Sequence, residues 1–140
     1  MATLLGAINA SASALDAQRA RMEVAVSNMA NAESTRGPDG EPYRRREVVL
    51  QSTSTGGAFD NSVQANGVEV AGVVQDQSAF RRVYEPSHPD ADADGFVSMP
   101  NVDVPEEMVD MLGAARAYQA NLTAIGLIRD TLQKALDLAK

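Results

Sequence analysis

Residues 4–32 read LLGAINASASALDAQRARMEVAVSNMANA, and the spacing of the apolar side chains in that stretch decides the architecture. Leu5, Ile8, Ala12, Leu15, Arg19, Met22, Val26 and Met29 step alternately by three and four, and only Arg19 is not apolar. A sustained 3-4 alternation predicts a helix of about 40 Å with a coiled-coil seam along it. The same alternation returns near the other end through Met108, Met111, Ala115, Tyr118, Leu122, Ile125, Arg129, Leu132, Leu136 and Ala139, again with one arginine. Asp103 as a cap, Pro105 in the first turn and Glu106 at capping-box spacing mark where this second helix starts. Glu106 and Glu107 suit the positive end of its dipole, and Lys134 and Lys140 the negative end. The expected fold is α+β: long N- and C-terminal helices over 1–33 and 104–140 form an antiparallel coiled-coil hairpin, with a small β-rich insertion over 34–103 between them.

The insertion opens on Ser34 to Pro42, a run of turn formers that no helix continues through. Tyr43–Leu50, Val68–Val74, Phe80–Tyr84 and Phe96–Met99 have strand character, and the Ser-, Thr- and Gly-rich stretch near 51–62 reads as a mobile loop. Alone, this segment is thin in apolar residues. Apolar side chains also lie off the two seams, at Met1, Leu4 and Val24 and at Val109, Leu112, Leu127, Ile128 and Leu138. The apolar arc of the second helix is therefore wider than a two-stranded seam needs, and another chain or the middle segment must cover it. Arg19 either stacks on Tyr118 or snorkels past the seam to water.

The composition removes whole classes of function. The chain has 140 residues, 19 acidic against 12 basic side chains, a net charge of −7 and no cysteine. Without cysteine there is no disulfide, thiol nucleophile or Cys-ligated metal. The acidic balance disfavours nucleic acid, and no apolar run reaches the ~20 residues of a membrane span. Ala10-Ser11-Ala12 imitates a signal-peptidase site, but the first basic residue is Arg19, so no cleavable signal is expected.

Three stretches tempt a chemical reading. Asp90-Ala91-Asp92-Ala93-Asp94-Gly95 matches the first half of a calcium loop, but Asn101 stands where the bidentate glutamate belongs, and Pro86 and Pro89 block the entering helix. An acidic turn between strands is the expectation, with weak calcium binding left open. His88 is the one histidine and has no partner for catalysis or metal ligation. Arg44-Arg45-Arg46 lies between Glu41 and Glu47, which suits a solvated strand face or a protein contact better than a phosphate site. No phosphate-cradling loop or nucleophile elbow is present, so no enzyme activity, catalytic residue, cofactor or metal is expected.

Residues 11–35, centred on Ser27-Asn28-Met29-Ala30-Asn31, resemble the N-terminal signature of bacterial flagellar axial proteins. Met111 to Ile125, around Arg116-Ala117-Tyr118-Gln119-Ala120-Asn121, resembles the matching C-terminal signature. Pro42-Tyr43-Arg44-Arg45, Tyr84 to Asp92 and Gly95 to Val102 narrow the resemblance to the rod proteins of the family. Together these motifs cover nearly the whole chain. The resemblance implies a structural subunit of the proximal rod of the flagellar basal body. Such a subunit assembles helically with copies of itself and other rod proteins, transmits motor torque, and leaves through the flagellar type III export apparatus. It also implies that neighbouring subunits cover the wide apolar arc, with no nucleic acid and no direct membrane insertion.

The candidate assembly residues are the seam positions Leu5, Ile8, Leu15, Arg19, Met22, Met29, Met108, Met111, Tyr118, Leu122 and Ile125, together with Asn28, Asn31 and Asn121. The three asparagines either fix helix register as buried polar contacts or sit as helix-end or surface amides. Under the first reading Asn31→Leu keeps helicity and blocks rod assembly. The rival reading of the whole chain is a soluble coiled-coil adaptor with a β insertion, folded as a stable dimer in the cytosol, its helices fully formed without a partner.

Overall fold

A computed structural model describes residues 2–54 and 66–138. In chain order they form α1 (Ala2–Ala30), β1 (Arg46–Ser54), β2 (Asn66–Gln75), β3 (Arg81–Tyr84), β4 (Phe96–Met99) and α2 (Val104–Leu138). α1 is rich in alanine, which costs least in a helix. It ends where Asn31, whose N–H bonds back to Ser27 and Asn28, leads into the turn-forming run. α2 starts just after Asp103: the Glu107 N–H donates to the Asp103 backbone carbonyl, 3.0 Å, as the first bond of the helix, and Glu106 and Glu107 lie in its first turn, while among the described residues the expected side-chain cap from Asp103 and Glu106 does not form.

The middle forms two separate antiparallel ribbons. β1 pairs with β2 and β3 with β4. β1 starts at Arg46, not Tyr43, because residues 43–45 are engaged in polar contacts described below. It then runs through Gln51–Ser54, expected as the start of a mobile loop; the rest of that loop, from residue 55, lies outside the described residues. The register of the first ribbon shifts between Val49 and Leu50, opposite Gly72 and Val70, which leaves Ala71 as the extra residue of a bulge. At its far end the ribbon comes close to α1. A Cβ on Gly67 would stand 3.1 Å from Ser13 Oγ and 3.0 Å from Thr53 Oγ1. The neighbouring Val68 N–H donates to Ser13 Oγ at 3.1 Å.

The α+β class is correct, but the coiled-coil hairpin is not what forms. α1 packs against α2 and also against both strands of the first ribbon, so it is not one half of a two-helix seam. Its solvent side is itself a heptad, Leu5, Asn9, Ala12, Asp16, Arg19, Glu23, Val26 and Ala30, and takes in half of the expected seam. The buried positions of α1 are Ala17, Ala25 and Asn28, with Ala32 just past its end, roughly a third of a turn around. On α2 the covered stripe is Glu107, Met111, Ala114, Tyr118, Asn121, Ile125, Ile128 and Leu132. It keeps one column of the expected seam and exchanges Met108, Ala115, Leu122 and Arg129, all exposed, for the residues one position before them. The cause is side-chain size. Alanines let two backbones approach closely, whereas a seam of leucine and methionine knobs would hold them apart.

Candidate assembly interface

Where the end of α1 meets the start of α2, three polar residues replace the apolar knobs of a helix pair. Asn28 is 1% exposed and Glu107 2% exposed. Asn28 Nδ2 donates to the Arg46 carbonyl and to Glu107 Oε2, both 2.9 Å. Its Oδ1 accepts from the Arg46 N–H at 3.0 Å and from the Tyr43 hydroxyl at 2.9 Å. Every donor and acceptor of the amide is thereby used. The second oxygen of Glu107 accepts from Arg45 Nε at 2.5 Å. Arg45 also pairs with Glu47 and, at 3.5 Å, with Asp110. Burial works against the Arg45 charge, but the hydrogen bond and charge of Glu107, with Glu47 behind it, prevail and hold the guanidinium protonated above its ordinary range.

The backbone of Arg45 is held as firmly as its side chain. Its N–H donates to Asn101 Oδ1 at 2.8 Å, and its carbonyl accepts from the Asp76 N–H at 2.8 Å. Asn101 Nδ2 reaches Ser78 Oγ and the Asp76 carbonyl at 2.8 and 3.2 Å. The other two arginines of the cluster stack on rings: Arg44 lies 4.2 Å over Phe80 and Arg46 5.5 Å over Tyr43. The basic run is thus consumed inside the chain, as is the acidic one. Asp92 Oδ1 accepts from the Phe96 and Asp94 N–H groups at 2.8 and 3.0 Å, and its Oδ2 from Arg82 at 2.6 Å. The bond from Phe96, with Asp94 and Arg82 behind it, holds the Asp92 carboxyl below the usual aspartate range despite some desolvation. Asp90 takes Thr35 Oγ1 at 2.8 Å, and the Asp90 N–H donates to His88 Nδ1 at 3.1 Å. Gly95, at φ +80°, closes the turn. Among the described residues no group of three or more metal-ligating side chains converges.

The sequence candidates therefore separate. Asn28 joins three parts of the chain. Asn31, one residue past α1, and Asn121 instead bond back to the preceding helical turn, to the Ser27 and Ala117 carbonyls at 2.8 and 2.9 Å. Leu5, Arg19, Met108 and Leu122 are exposed, while Ile8, Leu15, Met22, Met29, Met111, Tyr118 and Ile125 are half-buried. Arg19 pairs with Asp16 and Glu23 of its own helix at 3.5 and 3.9 Å, out in solvent. Sequence reasoning missed Glu107, Arg45, Tyr43 and Asn101. Glu107 was legible only as a dipole residue, and the acidic neighbours of the arginine run were the single hint that Arg45 has a partner. What remains uncovered is apolar. Val104, Met108, Val109, Leu112, Leu122 and Leu127 stand exposed along α2, and contiguous exposed apolar side chains of this kind mark interaction surfaces.

A family model described as Flagella basal body rod protein matches residues 8–38. A second, described as Flagellar basal body rod FlgEFG protein C-terminal, matches residues 93–138. The chain is 45% identical over 137 residues to the flagellar basal-body rod protein FlgC of Escherichia coli O6:H1, covering 98% of both chains. It is 44% identical to the FlgC proteins of Salmonella typhimurium and Bacillus subtilis, covering 98% and 99% of both chains. The chain belongs to the FlgC family of flagellar basal-body rod proteins. As a FlgC-family chain it is a structural subunit of the flagellar basal-body rod and not an enzyme. The two matched segments hold Asn28 and Glu107, which meet across the helix junction, and Tyr43–Glu47 lies between the segments.

Proposed function

We propose that this rod subunit builds the proximal rod by laying the exposed apolar side of α2 against neighbouring axial subunits, copies of itself and other rod proteins alike. The observation that carries this is the row of exposed Val, Leu and Met side chains on α2, where Val109 is 69% and Leu127 64% exposed. Burying such surface supplies roughly 25 cal/mol per Å², which makes stacked helices a stiff element. A head-to-tail contact that does not close on itself extends as a helix, the form a rod requires. Torque then passes through packed helices, with the candidate seam residues Leu5, Met108 and Leu122 among those facing a neighbour. Passage through the flagellar type III export apparatus belongs to the same reading, with the chain taking up this fold after export.

Cross-linking mass spectrometry on stringently washed hook–basal bodies from the native host tests it. The expected result is cross-links from Lys134, the one lysine of α2, to other rod proteins and to copies of the same chain. Cross-links confined to single chains, with the protein concentrated in the cytosol, would favour the adaptor reading.

A further inference from the structure

We propose that Glu107, shared between Asn28 and Arg45, is the register lock of the helix pair: its two oxygens fix which turn of α2 stands against which turn of α1. The apolar contacts cannot do this alone. On α1 the covered positions fall in columns seven apart, Ala10, Ala17 and Val24, then Ala14, Arg21 and Asn28, then Gln18, Ala25 and Ala32 beyond the helix end, and the covered stripe of α2 repeats likewise. A slip of seven residues, about 10 Å, lays like positions on like. Alanine contacts bury little that such a slip would lose.

Charge alone does not forbid the slip either. Arg21 stands seven residues before Asn28 and would meet Glu107 after one heptad of sliding. What forbids it is the pairing of both oxygens. Asn28 grips Arg46 through both its backbone N–H and its carbonyl. The segment carrying Arg45 therefore travels with α1. In the slipped state the Arg45 guanidinium, its side chain 16% exposed, loses Glu107 and Asp110 together, and breaking a buried pair is strongly unfavourable. All partners of the lock belong to one chain, so the isolated subunit holds the register as well.

The test uses the full chain, whose lack of cysteine makes site-specific nitroxide labelling clean. Labels at exposed Glu23 and Gln119, introduced as Glu23→Cys and Gln119→Cys, report the helix offset by double electron–electron resonance. The parent chain is expected to give one narrow distance. Asn28→Leu/Arg45→Met/Glu107→Leu, which replaces the lock by apolar groups, is expected to keep its helix content and gain a second, displaced distance. Asn101→Ala, which removes the acceptor of the Arg45 N–H and leaves Glu107 paired, is expected to keep the parent distance. A single distance in the triple variant, or a broad one in the parent, overturns the proposal. So does a second distance in Asn101→Ala that the triple variant lacks. If the triple variant loses its helix content, Glu107→Gln decides: its amide removes one acceptor, so a second distance supports the lock and the parent's single distance overturns it.

Discussion

Replacing Asn28 by alanine removes four hydrogen bonds at once and leaves one oxygen of Glu107 buried without its donor. The expected cost is about 2–4 kcal/mol, the upper part of the range for a single buried polar deletion, read by chemical denaturation of the full chain. Asn31→Leu, which breaks one bond to the preceding helical turn and a 3.2 Å contact from Ser34, is expected to cost less than half as much. Gly95→Ala is damaging for a different reason. The residue sits at φ +80°, and its new Cβ would meet the Tyr84 ring at 3.0 Å and Pro86 at 3.1 Å. About 2 kcal/mol is expected, mostly left-handed strain, and appears as an earlier thermal melt. Which of three asparagines reaches across the chain was not legible in the sequence. Each lies off the expected seam, and only the fold brings the backbone of residue 46 and the carboxylate of residue 107 to one of them.

At the scale of elements the sequence is a better guide. Both helices, the four strands and the acidic first turn of α2 follow from periodicity, turn formers and dipole charges. The stripe each helix buries does not. A heptad of leucine and methionine looks like a seam, yet the alanines beside it permit a closer approach and win. Ala114, fully buried, carries that claim: Ala114→Leu is expected to cost about 1–3 kcal/mol by wedging the helices apart. Ala115→Leu, one position on and exposed, is expected to change stability by no more than about 0.5 kcal/mol. The turn joining β3 to β4 has a pH dependence of definite sign. The Asp92 carboxyl titrates lower in the fold than in the unfolded chain. Its contribution is therefore fully present above the ordinary aspartate range and is lost as pH falls through the lowered value. In an NMR titration the Phe96 amide is expected to move in that acid window, and Asp92→Asn to abolish the movement.

The whole molecule makes sense as a part rather than as a finished object. Its arginine run and acidic run make their contacts within the chain, with Asn28, Arg45 and Glu107 turned inward, while valine, leucine and methionine are left outside along α2. The sequence showed the excess of apolar surface and, through the motifs around Asn28 and Tyr118, the family it serves. It did not show that the arginine run is spent on internal contacts, because the main partner of Arg45, Glu107, lies 62 residues away. The central claim is that the exposed side of α2 is an assembly surface, and Leu122→Lys tests it most directly. Leu122 is 47% exposed, so a lysine there stays in water and the fold is expected to lose no more than about 0.5 kcal/mol. The measurement is the recovery of hook–basal bodies from the native host carrying this variant as its only copy, beside the subunit level in whole cells. The account predicts a normal subunit level with rods and swimming lost. Rods at the parental yield would contradict it.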